Sequence, residues 1–125
     1  MMDIDLTKLG AEVADQLARF VAADRKGALG EELPKGWEEN QLSDMQSALV
    51  PPYIARLRDC DAGGALVILL AAVVVDDAAG SLVLYDPSAD EFVLAVRDLD
   101  PDRARAVDVV SCGVRGNAVD CFLSR

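Results

Sequence analysis

Eleven consecutive residues from Ala65 to Val75 carry no polar side chain, and no other feature restricts the fold as strongly. A helix needs about 20 apolar residues to cross a bilayer, so a run of this length reads as core. It is apolar on both alternations and β-branched toward its end, the pattern of a strand covered on both faces. A buried helix is the competing reading, because a continuous apolar run has no readable period.

The surroundings favour a strand. After the run, Asp76-Asp77-Ala78-Ala79-Gly80 leads into Leu82-Val83-Leu84-Tyr85, and Asp86-Pro87-Ser88-Ala89-Asp90 leads into Phe92-Val93-Leu94-Ala95-Val96. Short turn-forming loops between apolar runs predict an antiparallel meander. Before the run, Tyr53, Ala55 and Leu57 alternate with Ile54, Arg56 and Arg58, the two-residue period of a half-buried strand. A helical turn opened by Pro52 is the rival there.

Two helices precede the sheet. Leu6, Leu9, Val13, Leu17, Phe20 and Val21 recur at three- and four-residue steps, which predicts a helix over about Asp5 to Asp24. Asp5 serves as its N-cap, and Arg25-Lys26 before Gly27 form its end. Gly27 to Gly36 read as a loop. Glu38 to Leu49 place Leu42, Met45 and Leu49 on one helical face, and Pro51-Pro52 stop that helix. Asp100-Pro101 suit an N-cap and first helical position, so Pro101 to about Val110 reads as a further helix, with strand as competitor. Val119, Cys121 and Leu123 share one alternation and predict a closing strand over Asn117 to Leu123. The fold class is α+β in a single domain, two N-terminal helices packed on one face of a mainly antiparallel sheet, with the further helix before the last strand. If the Ala65–Val75 strand is buried on both faces and the helices cover one, a homodimer joined through the sheet covers the other.

Composition narrows the function classes. Acidic residues number 22 against 12 basic ones, a formal charge of −10. Nucleic-acid binding depends on Lys and Arg neutralising phosphates, so that partner is excluded, as is an anionic membrane surface. The same charge steers association with a basic protein. The N-terminus has no basic segment followed by an apolar stretch, and the expected location is the cytoplasm. Arg exceeds Lys and Ala is abundant, which points to a GC-rich bacterial gene. Cys60, Cys112 and Cys121 are odd in number and lack a CxxC spacing, which fits reduced thiols.

The chain contains no histidine. Ser-His-Asp and Cys-His activation drop out, together with the commonest metal ligand. Neither a GxSxG elbow nor a phosphate-binding glycine loop occurs. Asp98, Asp100 and Asp102 resemble the start of a calcium loop, but Arg103 stands where the turn needs glycine and Val109 where it needs a bidentate Glu. No metal or cofactor is expected. Cys112 in Ser111-Cys112-Gly113 reads as a buried inert thiol and Cys121 as a small core residue.

Three functional readings follow. The first is a non-enzymatic protein-interaction domain that binds a basic partner, in an immunity-protein-like or effector-chaperone-like role. Its site would combine Glu31, Glu32, Glu38, Glu39 and Asp44 with Trp37, the only tryptophan, as an aromatic anchor ringed by carboxylates. The competing role for Trp37 is to dock the loop against the helices. The second reading is a small anion- or ligand-binding domain, or a carboxylate-based enzyme, in which Arg56 and Arg58 on one strand face clamp an anion with Arg97. The third is a structural homo-oligomeric subunit.

Overall fold

A computed structural model describes residues 4–20, 36–60, 63–98 and 108–125. Helix α1 spans Leu6–Arg19 and buries Leu9, Val13 and Leu17; the Asp5 carboxylate accepts from Lys8 N at 3.1 Å and caps it. The helix stops at Arg19, short of the expected Asp24, because the backbone of Phe20 turns extended. Residues 21–24, the Arg25-Lys26-Gly27 stop and most of the expected loop fall outside the described residues. Helix α2, Trp37–Ala48, buries Met45 and passes directly into strand β1, Leu49–Cys60. Pro51 and Pro52 sit at a break in the ladder, where pairing jumps from Leu49↔Val75 to Tyr53↔Val73. Proline has no N–H to contribute there.

Strands β2 (Leu66–Asp76), β3 (Ser81–Asp86), β4 (Glu91–Arg97) and β5 (Val109–Gly116) each pair antiparallel with the strand before. The meander is therefore present, but it does not stay open. Five strands in strict up-and-down order leave β1 and β5 pointing the same way, so any closing contact must be parallel. Leu57↔Val109 and Arg58↔Val110 make it, and the sheet closes into a five-stranded barrel. So narrow a barrel holds only small and medium side chains. Its interior is Ala55, Leu57, Ala71, Val73, Leu82, Leu84, Val93, Ala95 and Val109.

A second core lies outside the barrel wall. A bulge between Val73 and Val75 breaks the alternation of β2, so Val74 and Val75 both join the outer cluster. There they pack with Ala72, Val83, Phe92 and Leu94 against Leu9, Val13, Leu17 and Met45 of the two helices. The C-terminal segment joins this core as helix α3, Ala118–Leu123, and not as the closing strand expected. Asn117 caps it by accepting from Asp120 N at 2.8 Å, and Ala118, Val119, Cys121, Phe122 and Leu123 are all buried. A short helix buried nearly all round shows no period, so its apolar residues satisfy a strand pattern equally well. Ala118 N donates to Gln16 Oε1 of α1 at 3.1 Å, tying α3 to the first helix. Of the further helix expected over Pro101 to Val110, residues 101–107 fall outside the described residues, and Val109-Val110 open strand β5.

Candidate functional site

The barrel wall is not covered evenly. On the outer face of the β1–β2 hairpin, Ile54 opposes Ala72, Arg56 opposes Leu70, Arg58 opposes Ile68 and Cys60 opposes Leu66. The helices reach Ala72 and stop. Beyond it the exposed fractions are 47 % for Leu70, 61 % for Ile68 and 73 % for Leu66, with Ile54 at 45 %. The apolar run of the sequence is thus divided: Ala71 to Val75 are buried, and the outward positions from Leu66 to Leu70 are not.

The same half of β2 also has a free edge. Strand β3 takes up pairing only at Ala72↔Tyr85 and continues to Asp76↔Leu82, whereas β1 pairs with β2 from Tyr53↔Val73 to Cys60↔Leu66. Among the described residues, Leu66 to Ala71 therefore have a strand partner on one side only. An edge of this kind presents unpaired backbone N–H and C=O groups. Apolar side chains and an open ladder coincide on six residues, and together they can add a strand from another chain.

Arg56, Arg58 and Arg97 do come to one corner of the barrel, where β1, β4 and β5 meet, but each faces a carboxylate. Arg58 donates to Asp98 Oδ2 at 3.3 Å, Arg56 stands 3.8 Å from Asp108, and Arg97 donates to Asp76. Asp108 Oδ2 also accepts from Arg56 N at 2.8 Å. The corner opens into a cleft of about 560 Å³ lined in part by Tyr53, Leu82, Arg97, Asp98 and Asp108. Tyr53 donates to Asp76 Oδ2 at 3.2 Å, and burial together with that carboxylate raises its phenol above the ordinary range. The loop chemistry that brings these aspartates to the arginines acts over long sequence separations, so no local pattern announced it. Asp100 and Asp102 of the D-x-D-x-D run lie outside the described residues.

The opposite mouth is plugged by charge. Inward-facing Arg115 on β5 donates to Asp86 Oδ2 and Glu91 Oε1, both at 3.0 Å, and to Asp59. Asp86, 2 % exposed, also accepts from Ser88 N at 2.9 Å and Ser88 Oγ at 2.6 Å. Burial pushes the Asp59 carboxyl up, but the bonds from Arg115 and from Cys60 N outweigh it and hold it below the usual carboxylate range. Burial likewise opposes the Arg115 charge, and its bonds to Asp59, Asp86 and Glu91 win, raising its pKa.

Of the acidic stretch, Glu31 and Glu32 lie outside the described residues. Trp37 is half-buried against the outer core, Glu38 is buried, and Glu39 and Asp44 are exposed, Asp44 lying 3.5 Å from Arg125. Cys112 is exposed, contrary to the buried thiol expected, because it sits where the ladder skips between Val93↔Arg115 and Ala95↔Ser111. Cys121 is buried as a core residue, and burial with Asp120 nearby pushes its thiol up to about 11. Among the described residues no cluster of His, Cys, Asp or Glu could hold a metal ion, and no helix is long and apolar enough to cross a membrane.

Comparison with protein families, with curated proteins and with solved structures finds no match.

Proposed function

We propose that this chain is a protein-interaction domain without catalysis, and that it docks through the outer face and free edge of the β1–β2 hairpin. The observation that carries the reading is the coincidence of exposed Leu66, Ile68 and Leu70 with a strand edge that no other described strand pairs. Contiguous apolar patches on a protein surface mark interaction sites when they reach a few hundred Å². The charged groups at both barrel mouths are engaged with one another, Asp76, Asp98 and Asp108 with arginines and Asp59, Asp86 and Glu91 with Arg115. That supports structural roles for them over acid–base chemistry.

The test compares two immobilised baits, the wild-type chain and Ile68→Lys, in capture from the source cell. Proteins held by the wild type and released by the substitution support the reading, and an identical retained set with both baits refutes it. The net charge of −10 favours a second reading, a basic protein partner in a neutralising or escorting role. Its mark is a retained protein of high pI that elutes as salt rises.

A further inference from the structure

We infer that the partner of the β2 edge is a second copy of this chain, joined by antiparallel pairing of Leu66–Leu70 with the same segment of its twin; the inference rests on the docking reading above. An antiparallel pair of identical strands is self-complementary about a twofold axis, so one edge suffices for both copies. Side chains directly opposite in such a pair point to the same face. Only the register centred on Ile68 matches all three exposed residues with apolar partners: Leu66 faces Leu70 of the second copy, Ile68 faces its own counterpart, and Leu70 faces Leu66. The paired positions stop short of Ala72, where β3 takes over, so this register displaces no existing strand.

Area and charge fit a weak, reversible pairing of two copies. The exposed fractions of Leu66, Ile68 and Leu70 amount to roughly 300 Å² of apolar surface per copy, the lower end of the range at which a patch marks an association site. A stable interface covers about 800 Å² per partner, so a seam of this size makes a weak, reversible pair. Two chains of charge −10 repel at long range, a term that salt screens, but a contact free of carboxylates adds no short-range repulsion. From Ala62 to Val75 no residue is charged, and among the described residues the charged side chains on the hairpin's outer face are Arg56 and Arg58. A twin therefore meets an apolar strand without charge of its own, beside arginines on β1 that Asp108 and Asp98 already balance.

Sedimentation equilibrium of the full chain at about 1–100 µM, in salt of about 20 mM and 500 mM, tests it. The expected result is a reversible dimer that tightens several-fold at high salt, as repulsion between the two acidic bodies is screened. Ile68→Lys, at an exposed position, should keep the wild-type melting temperature and weaken the dimer by about 100-fold, the effect of removing a central anchor. A second variant reads the register. With Cys60→Ser and Cys112→Ser in place, Ile68→Cys should cross-link to its own copy on mild oxidation, because opposed Cβ atoms lie about 5 Å apart; Ile54→Cys in the same background should not.

A wild type monomeric at the highest concentration overturns the inference, as does a dimer indifferent to Ile68→Lys. A dimer that cross-links through Ile54→Cys and not through Ile68→Cys overturns the edge geometry. A monomeric chain that still captures a different protein in an Ile68-dependent way refutes the second copy and leaves the docking reading standing. Loss of both Ile68-dependent capture and Ile68-dependent association removes the docking reading as well.

Discussion

Replacing Arg115 by Met tests whether the charged plug at the barrel mouth holds the fold together. The guanidinium serves three carboxylates, of which the Asp86 and Asp59 side chains are only 3 % and 10 % exposed and Glu91 is 37 % exposed. Methionine fills much of the same volume but leaves buried negative charge without its counterion. Breaking a buried pair from one side costs about 3–5 kcal/mol. Arg115 keeps 28 % of its side chain in solvent and water screens part of the interaction, so about 2–3 kcal/mol is expected. For a domain of this length that corresponds to a melting temperature roughly 10 °C lower.

The loss should also depend on pH. Asp59 is held below its ordinary pKa in the wild type, so its contribution is present above the unfolded value of about 4 and fades as pH falls through the folded one. In Arg115→Met the Asp59 carboxyl no longer has the guanidinium, and its protonation relieves it. The gap between wild type and variant should therefore be wide at pH 7 and narrow at pH 3, two conditions on either side of the pI near 4.3. Urea unfolding followed by far-UV circular dichroism measures both gaps, and adding Asp86→Asn should recover part of the loss. A variant within about 0.5 kcal/mol of wild type at pH 7, the range of ordinary surface changes, would refute the reasoning, as would a gap that does not shrink in acid.

Trp37→Ala should lower stability by about 2 kcal/mol, less than for a fully buried aromatic, because Trp37 is half-buried against the outer core; unchanged unfolding together with lost partner binding would instead make it an anchor. Alkylation at pH 8 should modify Cys60 and Cys112 in the native protein and Cys121 only after denaturant is added, since Cys121 is buried with its thiol pushed up to about 11. Tyr85 donates to Asp90 at 2.6 Å, and that bond, with burial, pushes its phenol up to about 12. Absorbance titration should lose this highest component in Tyr85→Phe, and the stability Tyr85 lends should be present below about pH 10 and lost as pH rises toward 12.

Much of the architecture is local and was readable for that reason. The stripe Leu9, Val13, Leu17 with its Asp5 cap, the strand alternation around Arg56, and the turns at Asp77–Gly80 and Asp86–Asp90 all follow from interactions within a few residues. Three features were not readable. The closing strand proved to be α3, because six residues buried on nearly every side show no preference of period. Barrel closure joins Leu57 to Val109 across half the chain, by a pairing that leaves no mark on either segment. The arginines offered as an anion clamp share a corner, but Asp76, Asp98 and Asp108, drawn from other segments, arrive with them.

The apolar run shows where the division falls. From the sequence alone it had to be a strand or a buried helix, free of charge from Ala62 to Val75 and followed by two tight turns, since backbone sterics, turn residues and side-chain period act over short distances. Which part of that strand would be covered depended on how far α1, α2 and α3 reach across the barrel wall and on β3 taking up its pairing at Ala72. Burial is a property of surfaces that meet in space. Tertiary structure therefore placed Ala71–Val75 in two cores and left Leu66, Ile68 and Leu70 facing water on an edge that no second described strand pairs.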